Sequence, residues 1–146
     1  GCAGLLQGDD FLTAIMAAHD VAYVAQVSPS HWNDLVTKAE KAYAAGGFSF
    51  INALSPCPRG WRVDTSETIE IARLAVDCCY WPLYEVDQGV WRLTYQPREK
   101  KPVAEWLKRQ GRFRHLFTGQ NERILDQIQE YVDRKWEELK QRCGAA

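Results

Sequence analysis

The chain has 146 residues, a formal net charge of −1, and 46% apolar and 25% charged residues. That make-up fits one globular domain able to bury roughly 70% of the surface its unfolded form exposes. So even a balance excludes strong bulk attraction to nucleic acid or an anionic membrane, and no apolar run approaches the ~18 residues that span a bilayer.

No basic stretch leads into an apolar core and a cleavage site, so export is not expected and a cytoplasmic setting is. Met16 is the only methionine, which leaves Gly1 without an initiator and leads us to expect a piece of a longer polypeptide. The cysteines number five, an odd count without export signals. Reduced thiols or a metal site are therefore expected rather than a disulfide framework.

From Asp9 to His19, Phe11, Leu12, Ile15 and Met16 recur at helical spacing, with Asp9 and Asp10 suited to the positive end of the helix dipole. Val21–Val27 reads as a strand, Ser28-Pro29-Ser30 breaks it, and Ser30 is the expected N-cap of a helix from His31 to about Ala45. Gly46-Gly47 supplies the left-handed stop, and Phe48–Leu54 reads as a second, buried strand. Strand, helix, strand in succession predicts a parallel βαβ unit and an α/β fold.

Residues 55–65 read as a loop, punctuated by Pro56, Pro58 and Gly60. A helix capped by Thr65 or Ser66 is expected to run to about Cys79 with Ile69, Ala72, Leu74 and Val76 inward. Pro82–Val86 and Val90–Tyr95, joined through Asp87-Gln88-Gly89, predict a β-hairpin. C-terminal helices follow: a short one from Pro102 to Gln110, and a long one from about Gln120 to Arg142 carrying Ile124, Ile128, Val132 and Leu139 in one stripe.

Chemistry concentrates at one loop. Cys57 stands between two prolines just after a strand, and strand ends in α/β sheets are where ligands bind. A buried structural thiol is the plainer reading, since free cysteine is among the most buried residue types. An iron–sulfur cluster needs about four converging thiolates, which this chain does not supply. Cys78 and Cys79 are expected on a helix, where consecutive side chains diverge by about 100°. A thiol-redox role for that pair is disfavoured by the strain of an adjacent-cysteine disulfide. Cys2, Cys78, Cys79 and Cys143 carry no assigned role.

Ser55-Pro56-Cys57-Pro58-Arg59-Gly60-Trp61, preceded by Ala17-Ala18-His19 and Tyr23-Val24-Ala25, is followed in order by Thr68–Val76, Trp81-Pro82-Leu83-Tyr84-Glu85, Leu93-Thr94-Tyr95, Lys101-Pro102-Val103 and Gln110–Leu116. In this order, over residues 14–140, the strings resemble beta subunits of 2-oxoacid:ferredoxin oxidoreductases, pyruvate:ferredoxin oxidoreductase above all. The resemblance implies the C-terminal portion of a thiamine-diphosphate-binding fold. Residues 1–65 would end the thiamine-diphosphate-binding domain, and residues 66–146 would form an extension of helix, hairpin and helices. It also implies oxidative decarboxylation of pyruvate with coenzyme A to acetyl-CoA, CO2 and reduced ferredoxin, in anaerobic metabolism. The implied cofactors are thiamine diphosphate, Mg2+ and a 4Fe–4S cluster, with Cys57 at the position of the fourth cluster ligand. The implied partners are the other subunits or domains of the oxidoreductase and ferredoxin.

Two hallmarks of the family, a Gly-Asp-Gly diphosphate motif and three N-terminal cluster cysteines, do not occur in this sequence. Gly8-Asp9-Asp10 has no strand before it and reads as a helix start. By itself this stretch is expected to hold neither cofactor, and no catalytic residue is assigned within it. The competing readings are a non-catalytic interaction module of the same fold and a relative acting on branched-chain 2-oxoacids or oxalate.

Between Arg98 and His115, seven Lys or Arg face only Glu99 and Glu105. We read this run as a solvated or subunit-facing surface, not a nucleic-acid patch. His19, His31 and His115 show no metal spacing. The six tryptophans are core or interface candidates, with Trp61 placed to shield a cluster at Cys57.

Overall fold

The computed structural model describes residues 10–119 and 121–144. Helix α1 (Asp10–Ala18) leads into strand β1 (Tyr23–Val27), helix α2 (Trp32–Ala44) and strand β2 (Ser49–Ala53). A four-residue helix α3 (Pro58–Trp61), helix α4 (Thr68–Asp77) and the hairpin β3 (Tyr84–Asp87) and β4 (Val90–Leu93) follow. Helix α5 (Val103–Lys108), a 3₁₀ segment at Gly111–Phe117 and helix α6 (Glu122–Arg142) complete the chain.

The sheet runs β2-β1-β3-β4. Tyr23 to Val27 pair in parallel with Ser49 to Ala53, as the strand–helix–strand order predicts. The hairpin adds to the other side of β1, antiparallel. Its turn puts Gln88 (φ 48°) and Gly89 (φ 81°) both in left-handed conformation, the twist a two-residue hairpin favours. The fold is mixed α/β.

Alternation along β1 divides the two faces. Tyr23, Ala25 and Val27 pack on Leu35, Ala42 and Ala45 beneath α2. Val24, with Tyr84 and Val86, packs on Met16, Ala17, Trp136 and Leu139 from α1 and α6. A third cluster, beyond the sheet, joins α4, α5 and α6 through Ile71, Trp106, Leu107, Ile128 and Val132.

The buried charged groups between the sheet and α2 are paired. Tyr23 Oη donates to Glu85 (2.7 Å), which also receives Lys41 Nζ (2.7 Å), while Lys38 Nζ donates to Gln26 O (2.8 Å) and Asp34 (2.7 Å). Burial alone pushes the Glu85 carboxyl up, but the hydrogen bonds from Lys41 and Tyr23 outweigh it and hold the group below its usual range.

Several local expectations change. The cap before α2 is Ser28, whose Oγ accepts from Ser30 N–H, and a 3₁₀ turn at Pro29–His31 precedes the helix. Among the described residues β2 lies at the edge of the sheet and is not buried: Ile51 is 37% exposed and neighbouring Phe48 67%. Ile69 points outward and Ile71 takes the core position. Cys78 and Cys79 do not continue α4. Cys78 is its C-cap and Cys79 turns the chain at φ 59°. Gly8 and Asp9, and with them the first half of the proposed helix start, lie outside the described residues, as does Cys2.

Candidate functional site

Leu54 N–H donates to Val27 O (3.0 Å), extending the parallel ladder just past β2 before Pro56 ends it. Cys57 then adopts an extended conformation as N-cap of α3, with Pro58 at the first helical position. Its Sγ accepts from Gly60 N–H (3.3 Å) and its carbonyl from Trp61 N–H (2.8 Å). The loop expected over residues 55–65 therefore contains a tight helical turn wound around this thiol. Cys57 is exposed.

The turn borders a cleft of about 350 Å³ at the carboxyl ends of β1 and β2, lined by Asn52, Ser55, Trp61, Tyr80, Trp106 and Arg112 among others. Trp106 anchors it. Tyr80 stacks on its ring at 4.3 Å, and Trp61 meets it edge-on at 5.9 Å. Trp61 is thus half-buried core as well as cleft wall. Trp81, on the opposite side, donates Nε1–H to Val27 O (2.9 Å) and fixes the end of β1.

A second device closes the turn. Arg62 ends α3 in left-handed conformation (φ 55°), and its carbonyl accepts Gly111 N–H (3.3 Å). A Cβ at position 111 would stand 2.9 Å from both the Cβ and the carbonyl oxygen of Arg62, so only glycine permits this approach. The close approach gathers Arg62, Arg112, Arg114 and His115 around a hollow of about 480 Å³.

The remaining cysteines have other surroundings. Cys78 packs in the helical cluster and Cys79 in the sheet-face cluster, so the pair diverges although it leaves the helix. Burial pushes their thiols up to about 12 and about 11, which keeps both protonated. Cys143 is half-buried behind α6, its thiol also raised by burial. Among the described residues no group of three or more His, Cys, Asp or Glu could hold a metal. Cys57 is the exposed thiol among the described cysteines, and a four-thiolate cluster there would need its other ligands from elsewhere.

The basic run resolves into ion pairs at several positions. Arg109 binds Glu67 (2.7 Å) and Glu70 (3.0 Å), Lys101 lies 3.7 Å from Asp77, and Lys100 pairs with Asp133. At these three positions the charge is met by carboxylates of the chain itself. No helix among the described residues is long and apolar enough to cross a membrane.

No family model matches the chain. Individual proteins do. Pyruvate synthase subunit PorB of Thermotoga maritima is 49% identical over 137 residues, 93% of this chain and 42% of that protein. The same subunit of Methanocaldococcus jannaschii is 44% identical over 124 residues, 85% of this chain and 40% of its own length. The chain belongs to the family of 2-oxoacid:ferredoxin oxidoreductase beta subunits.

Ketoisovalerate oxidoreductase subunit VorB of Pyrococcus furiosus, 39% identical over 128 residues and covered over 40% of its length, is a further member. The chain thus spans about two fifths of the relatives it matches. Sequence reasoning singled out Cys57 and Trp61 in this loop, but not Tyr80, Trp106 and Arg112, which join Trp61 as walls of the cleft. Their convergence depends on the Arg62–Gly111 approach, which Gly111 alone hints at.

Proposed function

We propose that this chain is the part of a catalytic beta subunit that supplies Cys57 as the fourth ligand of a 4Fe–4S cluster lying near thiamine diphosphate. The enzyme oxidatively decarboxylates pyruvate with coenzyme A to acetyl-CoA, CO2 and reduced ferredoxin, together with its other subunits and in the cytoplasm. The observation that carries this is a contrast among thiols: Cys57 is presented at a rigid turn by the carboxyl ends of two parallel strands, while Cys78 and Cys79 are sealed in hydrocarbon. Pyruvate is favoured because pyruvate synthase subunits match at 43–49% identity and ketoisovalerate oxidoreductase subunits at 39–40%.

In this reading residues 1–65 end the thiamine-diphosphate-binding domain and residues 66–146 form its extension, the two sharing one sheet through β1 and β3. When bound, the cluster supplies a one-electron carrier. The chain's own residues hold and shelter it: Cys57 provides the sulfur, Pro56 and Pro58 stiffen the turn, and Trp61 and Trp106 keep water from one side. Thiamine diphosphate and Mg2+ are held by the rest of the subunit, since the described residues offer no diphosphate motif.

The test is Cys57→Ser in the assembled complex, read by iron content and low-temperature electron paramagnetic resonance. Loss of a single cluster's signal with the others intact is expected. Full retention of every cluster overturns the assignment.

A further inference from the structure

Arg112 sits on the cleft beside the Cys57 turn in an arrangement that ordinary surface arginines lack. Its guanidinium lies 4.8 Å from the ring centroid of Trp61 and 4.5 Å from that of Phe113. Its Nε donates to Gln110 Oε1 (2.9 Å), and the buried Gln110 is itself tied through Nε2 to Trp106 O (3.1 Å). Stacking and this hydrogen bond fix the charge in place. No carboxylate among the described residues pairs with it. Burial disfavours its charged form, and the two titratable groups acting on it are Tyr80 and the Cys57 thiol.

A half-buried cation without an anion calls for one. The same cleft shows a second unmet demand: the indole N–H of Trp106, a residue 1% exposed, has no hydrogen-bond partner among the described residues. Arg112 and Trp106 line one cavity. The guanidinium asks for an anionic, acceptor-rich group there, which is what sulfide and thiolate ligands around iron present.

Resting on the reading of Cys57 as a cluster ligand, we infer that Arg112 is an electrostatic positioning residue that raises the reduction potential of the cluster held there. Adding one electron to the cluster makes it one unit more negative, with no bond formed or broken and no proton moved. A fixed guanidinium opposite that charge favours the reduced form. Arg112 itself exchanges neither electrons nor protons.

The experiment is a redox titration of the assembled complex, with the signal of the Cys57 cluster followed by electron paramagnetic resonance. Arg112→Gln is expected to keep the cluster and shift its midpoint to more negative potential, while Arg112→Lys, which retains the charge, shifts it less. An unchanged midpoint in Arg112→Gln, or an equal shift in both variants, overturns the inference. Should Arg112→Gln fail to retain the cluster, Arg112→Met, neutral and closer to arginine in apolar length, takes its place in the same titration. A negative shift there supports the inference, and no shift overturns it. Failure of the underlying reading shows differently, as a Cys57→Ser complex that keeps every cluster.

Discussion

The Cys57 turn and the Cys78–Cys79 corner put one kind of side chain into opposite surroundings, although both follow the end of a regular element. At Cys57 the chain leaves an edge strand, prolines on either side prevent it from folding back, and the thiol caps a four-residue helix in the open. At Cys78 and Cys79 the chain leaves α4 through a left-handed residue and returns toward the sheet, so each thiol enters a different packed cluster. Burial, not spacing in the sequence, decides which sulfur is available to a metal.

The most severe way to break this contrast is to open the dry side. Ile71→Ala, within the cluster that encloses Cys78, is expected to lower stability by about 2–5 kcal/mol, measured by urea unfolding, and to speed labelling of Cys78 by a thiol reagent. A loss below about 1 kcal/mol would show that this layer is not tightly packed.

Next is the ion network under α2. Glu85→Gln should cost about 2 kcal/mol, because Tyr23 and Lys41 lose a charged acceptor. Since the folded carboxyl is held below its usual range, its contribution is full above the ordinary carboxylate pKa and lost as pH falls through the folded value. Acid unfolding of the variant should therefore be less steep in that window.

Gly111→Ala tests the device that closes the candidate site. The added methyl meets Arg62 backbone and side chain, so a loss of about 1–2 kcal/mol is expected, with altered fluorescence of Trp61 beside the displaced Arg112. The smallest effect belongs to Cys57→Ala, within about 0.5 kcal/mol of the parent because the thiol is exposed. In the parent, Cys57 should react with a thiol reagent in the folded state, whereas Cys78 and Cys79 react only after unfolding.

Periodicity and punctuation made much of this fold legible. The parallel pair, the α2 stop at Gly46 and the Gln88-Gly89 hairpin all follow from local signals that the final packing leaves undisturbed. The errors occur where tertiary contacts override local preference. Cys78 and Cys79 extend an apolar helical pattern, yet the chain must turn there for Trp81 to reach the end of β1. Phe48–Leu54 is apolar enough for a central strand, and only the sheet order shows that it is an edge. At the site, Cys57 stood out by its prolines. Arg112 did not, because in sequence it is one cation in a basic run and only the structure separates it from Arg109, which is neutralised by Glu67 and Glu70.

The outer side of β2 has a consequence for handling the molecule. No strand among the described residues pairs with it, and Phe48 and Ile51 lie along it with little cover. Such a border is a template on which a second chain can add, so concentrated preparations of this segment should form oligomers that grow edge to edge. A lysine gatekeeper at Ile51 should keep the preparation monodisperse without disturbing the register with β1.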